Sequence, residues 1–237
     1  MQLSSFHFLR EQLATVPSVE HEDLSGKTVV VIGANIGLGF EAAKHFAKMN
    51  PDRIILGCRS KERGEAAAIS ETNTLLSYLS TSHFTYKELK TETGYESAEL
   101  WIIDLARISS VIDFVERFEK EGSRIDILLL NAGIIPAFNQ QLTADGYEPT
   151  SVHTFLYRIN NITPTLLFFT RFQVNNLCSS LLALRSLPIM LRTAEKHHTN
   201  PRIVVVSSEV HYWAKLDKDV VDSPNGLVTF GKAEFSK

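Results

Sequence analysis

Apolar residues occur along the chain in short uninterrupted runs, and several segments between these runs have helical periodicity. The runs predict strands over residues 28–32, 53–57, 100–103, 125–130 and 202–206. The periodic segments predict helices over residues 39–48, 109–121 and 172–191, and the second of these has an apolar face formed by Val111, Phe114, Val115 and Phe118. Uninterrupted apolar strands are typical of parallel sheets that are covered on both faces. The pattern therefore predicts an α/β domain with a parallel sheet between layers of helices.

The chain has the size and composition of one globular domain. It contains 237 residues, of which 44% are hydrophobic and 22% are charged, and this is enough for one sizeable core. We assign residues 25–237 to the domain and residues 1–24 to an N-terminal arm. The arm has a short amphipathic helical pattern, so we expect it to pack on the domain. Its apolar side consists of Phe6, Phe8, Leu9 and Leu13.

Composition argues against several classes of function. The formal net charge is -3 and basic residues do not cluster, so nothing favours nucleic acid or an anionic membrane as a partner. Cys58 and Cys178 are the only cysteines, and they lack the number and spacing of a disulfide framework or a zinc site. The N-terminus lacks the apolar core of a signal peptide, and the apolar run 166–169 is far shorter than the ~20 residues that span a bilayer. We expect a cytoplasmic protein without a metal or a membrane span, acting on a small molecule.

Three glycines follow the first predicted strand, in the stretch IGANIGLG that begins at Ile32. Between a strand and a helix, glycine permits unusual backbone angles, close approach to a pyrophosphate and tight packing of the helix on the strand. Amide groups at the start of the helix also attract phosphate. A tight turn without a ligand is the alternative. The predicted phosphate-binding residues are Gly33, Asn35, Ile36, Gly37, Leu38 and Gly39.

The GxxxGxG spacing of this turn resembles the first motif of the short-chain dehydrogenase/reductase family, with Ile32 in place of the usual threonine. Further motifs of the family follow in the same order, each at the end of a predicted strand: Asp104-Leu105, Asn131-Ala132-Gly133 and Ser207-Ser208. The stretches GANIGLGFEAAKHF and CRSKERGEAAA are most similar to the retinol-dehydrogenase-like branch. The resemblance covers residues 24–69, 90–147 and 172–237.

This resemblance implies a doubly wound Rossmann fold and an oxidoreductase that transfers a hydride between NADP and a small lipophilic alcohol or carbonyl compound. By the same resemblance, Asp104 and Leu105 contact adenine, and the segment 131–133 lies on the ribose side of the cofactor. Arg59 follows the second strand and favours NADP over NAD, because a guanidinium suits a 2′-phosphate. The alternative for Arg59 is a solvated arginine that caps a helix.

Two catalytic residues are carried over from the family. Ser208 corresponds to the serine that holds the substrate oxygen, with Ser207 as its structural neighbour. Asn175 corresponds to the helix asparagine that holds a water of the proton relay, and an exposed helical asparagine without a catalytic role is the alternative.

The family completes its active site with a tyrosine and a lysine four residues further on, and this pair does not follow Ser208. Tyr212 is followed at the fourth position by Leu216, and the only YxxxK pair, Tyr86 to Lys90, lies upstream of the Asn-Ala-Gly motif. The resemblance therefore implies a chain truncated after the fifth strand, and this leaves the fifth strand without its neighbour and exposes an apolar sheet edge. Loss of the acid/base group lowers the rate by about 10²- to 10⁴-fold.

Alternatives to an active enzyme stay open. One is a non-catalytic NAD(P)-binding protein, and another is an inactive fragment from a faulty gene model. A methyltransferase with a similar sheet is disfavoured, since it does not need the Asn-Ala-Gly and Ser-Ser strand ends. For a full-length form, the resemblance implies a homodimer.

Two inserts, residues 69–89 and 151–171, interrupt the family pattern. Structureless loops longer than about 12–15 residues are uncommon in compact domains. The second insert is either a functional lid over the substrate or, like the first, a short intron translated in frame. Our hypothesis is that both are retained introns, since their codons allow intron-like ends.

Overall fold

The structure is a computed structural model, and it describes residues 10, 13–59, 82–134, 173–208 and 222. Strands and helices alternate along the chain as β1 Thr28–Ile32, α1 Gly37–Lys48, β2 Arg53–Cys58, α2 Ser82–Thr93, β3 Ala98–Ile102, α3 Ile108–Glu121, β4 Ile127–Leu130, a π-helical turn Gln173–Leu177 that leads into α4 Cys178–His197, and β5 Arg202–Val205. Every predicted strand is present, with ends that differ by no more than two residues. The predicted doubly wound α/β architecture is confirmed.

The five strands run parallel in the order β3-β2-β1-β4-β5. Strand β1 lies in the middle of the sheet, with Ile32 opposite Gly57 of β2 and opposite Leu130 of β4. From β1 the chain adds β2 and β3 on one side, and it then crosses back to add β4 and β5 on the other side of β1. The direction in which strands are added therefore reverses beside β1. Open α/β sheets bind ligands outside the carboxyl ends of their strands at such a switch point.

Two apolar clusters fill the space on either side of the sheet. On one side lie α3 and α4, and there Trp101 packs against Phe114 and Phe118 with ring centroids 5.4 and 4.5 Å away. On the other side lie α1 and α2, which contribute Phe40 and Leu89. The predicted helix face of Val111, Phe114, Val115 and Phe118 is buried, as its spacing indicated.

Helix α4 and its π turn, together Gln173–His197, form the one described helix that is long and apolar enough to cross a membrane. Core helices of soluble proteins share these properties. Here Leu182, Ile189 and Met190 are buried in the cluster that also contains α3. One face of the helix thus belongs to the core, while Leu184, Leu187 and Leu191 are exposed, and the expected absence of a membrane span stays a prediction.

Asp126 joins the amino ends of three strands. Its Oδ2 accepts hydrogen bonds from the Thr28 N–H at 2.8 Å and from Arg124 Nε at 2.7 Å. Its Oδ1 accepts from Arg124 Nη2 at 2.5 Å and from the Thr199 hydroxyl at 3.3 Å. The Asp126 carbonyl accepts the N–H of Arg202 at 2.7 Å. The side chain is only 3% exposed, so its carboxylate ties the start of β1 to Arg124 and Thr199 inside the protein, and the backbone carbonyl of Asp126 holds the start of β5.

Helix α2 was not predicted, and it begins inside the first insert. Its segment SHFTYKELKTET has few apolar residues at helical spacing, so the pattern in the sequence is weak. The helix is held by tertiary contacts instead: Leu89 is fully buried, and Lys44 Nζ of α1 forms an ion pair with Glu92 at 3.0 Å. Hydrogen bonds to Glu41 and then Glu92 raise the pKa of Lys44. Residues 60–81 and 151–172 lie outside the described residues, so the intron hypothesis stays a prediction.

The structure bears on two expectations about burial. The apolar run of β5 is typical of a strand covered on both faces, whereas a fifth strand without its neighbour is expected to be exposed, and Val204, Val205 and Val206 are 44%, 61% and 43% exposed. Strand β5 pairs with β4 on one side only, and no described element pairs with its other edge. In the arm, residues 13–23 are exposed and contact with the core begins at Leu24. Phe6, Phe8 and Leu9 lie outside the described residues, so packing of the arm on the domain stays a prediction.

Candidate functional site

The glycine turn between β1 and α1 is packed against the end of β4. Gly33 has φ +83° and donates its N–H to the carbonyl of Gly57 at 2.8 Å. A Cβ on Gly33 would lie 2.7 Å from Ala132 Cα, and a Cβ on Gly39 would lie 2.5 Å from Asn131 Nδ2. Both positions therefore require glycine because the chain itself fills the space.

Gly37 differs from its two neighbours in the motif because its surroundings are open. It has φ +59°, and a Cβ there would meet nothing within 4 Å. Ile36, in extended conformation, precedes the helix without a side-chain capping hydrogen bond, and the first turn of α1 contains no acidic residue. Uncapped amide groups at a helix start bind phosphate. The turn is open at Gly37, and the binding of a dinucleotide pyrophosphate there, with Asn35, Ile36 and Leu38 around it, stays a prediction.

The segment 131–133 interlocks with this turn. Asn131 donates its backbone N–H to the carbonyl of Ile32 at 3.1 Å and its side-chain Nδ2 to the carbonyl of Gly33 at 3.2 Å. Ala132 lies directly beneath Gly33, as the contact above requires. The end of β4 thus holds the glycine turn in place, which is a structural role that needs no ligand.

Asn175 lies in the π-helical turn before α4, and its side chain binds the backbone just beyond Gly133. Its Oδ1 accepts the N–H of Ile134 at 2.8 Å, and its Nδ2 donates to the carbonyl of Ile134 at 3.1 Å. A Cβ on Gly133 would lie 3.6 Å from the same Oδ1. The side chain therefore joins the π turn to the 131–134 segment, and its expected part in a proton relay stays a prediction.

Asp104 begins a tight turn after β3 and is held at three points. Its Oδ1 accepts the N–H of Ala106 at 3.0 Å, and its carbonyl accepts the N–H of Arg107 at 3.0 Å. Its own N–H donates to Ser110 Oγ of α3 at 2.9 Å. Leu105 is buried in the core at 5% exposure. The turn is thus rigidly attached to β3 and α3.

Cys58 ends β2, and Arg59 follows it at the carboxyl end of the sheet. Arg59 is exposed, beside the strand end that carries the glycine turn. Cys58 is buried, and burial raises the pKa of its thiol to about 12 in spite of a hydrogen bond with the Ala34 backbone. The thiol stays protonated at neutral pH, so Cys58 is not a nucleophile.

Ser208 lies beyond β5, at the carboxyl end of the sheet. The N–H of Val206 donates to the carbonyl of Leu130 at 2.9 Å, which continues the pairing of β4 and β5 past the strand. Ser207 and Ser208 follow this pair and are exposed. The two serines therefore follow β5, and β5 pairs with β4, which leads into the Asn131–Gly133 segment.

The YxxxK pair of Tyr86 and Lys90 belongs to α2, which contacts α1 and β3. Strand β3 is at one edge of the sheet and β5 is at the other, so this pair is far from Ser208. Its exclusion as a catalytic pair is supported. Tyr212 and Leu216 lie outside the described residues.

The carboxyl ends of the five strands form one side of the sheet, which we call the carboxyl edge. This side brings together the glycine turn, Arg59, the Asp104 turn, the 131–133 segment and the strand end before Ser208. Two contributors were missed from the sequence: Ser110, which binds Asp104, and Ile134, which binds Asn175. Both contacts join a side chain to a distant backbone group, and periodicity gives no signal for them. Within the described ranges, no three His, Cys, Asp or Glu residues group as metal ligands would.

No protein-family model matches the chain. Over 196 residues it is 36% identical to the short-chain dehydrogenase fogG of Aspergillus ruber, and the alignment covers 82% of this chain and 44% of that protein. Over 209 residues it is 32% identical to the short-chain dehydrogenase anuD of Penicillium roqueforti, covering 88% and 44% respectively. The chain spans about half the length of the curated relatives it matches.

Solved structures with the same fold carry similar names. A short-chain dehydrogenase of Shigella flexneri in complex with NADP matches with a TM-score of 0.56 and 19% identity, over 90% of this chain and 69% of that one. An NADH-dependent reductase in complex with NAD matches with a TM-score of 0.54 and 14% identity, over 90% and 69%. At these identities the likeness shows the fold alone.

Proposed function

Since the chain belongs to the short-chain dehydrogenase/reductase family, we propose that it binds NADP and serves hydride transfer between the nicotinamide and a small lipophilic alcohol or carbonyl compound. The observation that carries the proposal is the open turn at Gly37, where the Ile36 side chain does not cap the helix, beside the switch point of the sheet. NADP supplies or accepts the hydride in such a reaction, and the protein supplies binding and orientation.

Each part of the carboxyl edge has a proposed role. The amide groups around Gly37 hold the pyrophosphate, and the exposed guanidinium of Arg59 holds the 2′-phosphate. Asp104 and the backbone amide of Leu105 hold the adenine, while the Leu105 side chain stays in the core, and Asn131–Gly133 line the ribose side. An open phosphate cradle with an exposed cation nearby fits NADP better than NAD, which has no 2′-phosphate. We place the protein in the cytoplasm, with a small-molecule substrate and a homodimer as its proposed assembly.

Ser208 is proposed to hold the substrate oxygen, and Asn175 to keep the 131–134 segment in position beside it. A second candidate function is that of a non-catalytic protein that binds NADP tightly without turnover. Binding with no measurable oxidation of NADPH by a panel of aldehydes and ketones supports the second candidate over the first.

The test compares two glycines with the same backbone conformation. Gly37 (φ +59°) and Gly26 (φ +75°) both have positive φ and open surroundings, but Gly26 precedes β1 at the opposite edge of the sheet. Alanine at either position costs similar backbone strain, about 1–2 kcal/mol. Only Gly37→Ala puts a methyl group into the proposed cradle.

NADPH and NADH are titrated against the wild type, Gly37→Ala and Gly26→Ala by nucleotide fluorescence. We expect the wild type to prefer NADPH, Gly37→Ala to lose at least about tenfold in affinity, and Gly26→Ala to stay within about twofold. A wild type that binds neither nucleotide overturns the proposal. Equal losses in both variants show that backbone strain, and not occupation of the cradle, weakens binding.

A further inference from the structure

The turn after β3 is attached to α3 by a hydrogen bond that helix formation does not require. Ser110 lies in the first turn of α3, where the preceding Arg107 makes no side-chain capping bond. A serine near a helix start usually satisfies an amide of that same helix. Here the Ser110 hydroxyl instead accepts the N–H of Asp104, six residues earlier, at 2.9 Å.

We propose that Ser110 is a positioning residue for the adenine end of the dinucleotide: its hydroxyl fixes the backbone of Asp104 and thereby sets where the Asp104 carboxylate and the following amide meet the base. This inference rests on the proposed function, since it presumes that the carboxyl edge takes a dinucleotide. Ser110 itself does not contact the base.

The contacts around Asp104 explain why one hydroxyl matters. The Asp104 carbonyl and Oδ1 are bound by Arg107 and Ala106, which are both later in the same turn. These two bonds shape the turn but do not attach it to the rest of the protein. On its N-terminal side, Ile103 donates its N–H to the carbonyl of Cys58 at 2.9 Å, so pairing with β2 ends one residue before Asp104.

Ser110 is therefore the polar attachment between the start of the turn and α3. Without its hydroxyl, the half-buried N–H of Asp104 loses its acceptor, and the turn can rotate about the junction with Ile103. Leu105 still anchors the turn by its apolar side chain, so the loss displaces Asp104 without unfolding the strand. The expected consequence is poorer recognition of the base, with phosphate binding at the glycine turn unchanged.

A matched set of variants separates this role from general stability. Ser110→Ala removes the hydroxyl, and Ser110→Thr keeps it. Ser109→Ala makes the same change at the neighbouring position, which is exposed and has no described partner for its hydroxyl. Ser110→Cys keeps the approximate volume with a weak acceptor, and it serves if Ser110→Ala does not fold.

The measurement is the affinity for NADPH and for its hypoxanthine analogue, in which oxygen replaces the 6-amino group of adenine. We expect Ser110→Ala and Ser110→Cys to bind NADPH about three- to tenfold more weakly and to lose most of the preference for adenine over hypoxanthine. Ser110→Thr and Ser109→Ala should match the wild type.

Unchanged base preference in Ser110→Ala, or in Ser110→Cys where the alanine variant does not fold, overturns the inference. An equal loss in Ser109→Ala also overturns it, since the effect is then general to α3. If the wild type binds neither nucleotide, the proposed function itself fails. If the wild type binds NADPH and the Ser110 variants bind it in the same way, only the inference about Ser110 fails.

Discussion

Replacing Asp126 tests how the amino ends of the central strands are held. Its carboxylate accepts hydrogen bonds from the Thr28 N–H, from two nitrogens of Arg124 and from the Thr199 hydroxyl. The group is 3% exposed, so water cannot replace these bonds when the carboxylate is removed. Asp126→Ala therefore leaves a buried amide without an acceptor and a guanidinium without its counter-ion.

The expected loss follows from these two defects. A buried donor left unsatisfied costs about 1–3 kcal/mol. Breaking a buried ion pair by removing one partner costs about 3–5 kcal/mol. The Arg124 side chain is 21% exposed and reaches water, so loss of this ion pair should cost no more than the lower end of that range. We expect Asp126→Ala to lose about 3–4 kcal/mol, a large part of the 5–15 kcal/mol typical of a domain.

Asp126→Asn is the graded comparison, because the amide keeps one acceptor oxygen for Thr28 and loses the charge that faces Arg124. We expect it to lose about 2 kcal/mol. Asp113→Ala on the exposed side of α3 is the control and should stay within about 0.5 kcal/mol. Urea unfolding at neutral pH measures all three, and a loss of 3 kcal/mol should lower Tm by roughly 6–12 °C. A loss below about 1 kcal/mol in Asp126→Ala refutes the reasoning.

Two further changes have defined outcomes. Hydrogen bonds from Arg53 lower the pKa of Glu99, so its stabilisation is present above the unfolded pKa of about 4.3 and is lost as pH falls through the lower folded value. Glu99→Gln should therefore lower the free energy of unfolding by up to about 1 kcal/mol at pH 7, since the carboxylate is 40% exposed. Measured by urea unfolding, the difference from the wild type should shrink by pH 3. A difference that stays constant with pH contradicts this prediction. Gly33→Ala should lower the free energy of unfolding by roughly 3 kcal/mol, because the new methyl group overlaps Ala132 in addition to the strain of positive φ. Gly26→Ala has the strain alone, so equal losses of the two variants in thermal unfolding contradict this prediction.

The sheet could be predicted because its central strands are buried on both faces. In β1 all five residues are buried, and in β4 the last three are, so the apolar runs are nearly as long as the strands themselves. Because the glycine turn, Asp104 and Asn131 each follow the end of such a run, the sequence predicts that they lie at the carboxyl ends of the strands. Helix α1 begins at Gly37, two residues before its predicted start, although Gly37 itself has φ +59°.

Other parts depend on contacts that a run of residues does not encode. Helix α2 is stabilised by Leu89 in the core and by the ion pair of Lys44 with Glu92, and neither contact leaves a periodic pattern in its own segment. The valines of β5 have the composition of a buried strand, but burial depends on what lies against them. The bonds of Asn175 to Ile134 and of Ser110 to Asp104 also join groups whose proximity arises only from the fold.

The parallel sheet separates stability from ligand binding in a way that can be measured. Asp126 acts at the amino edge, and Gly37 lies at the carboxyl edge, roughly 15 Å away along a strand of five residues. Asp126→Asn should therefore lower Tm and leave NADPH affinity unchanged in the folded protein, and Gly37→Ala should weaken NADPH with only the strain cost in stability. Gly33→Ala should do both, because Gly33 belongs to the turn and packs on Ala132. If Asp126→Asn weakens NADPH as much as Gly37→Ala does, the sheet couples its two edges, and local geometry at the glycine turn does not by itself determine binding.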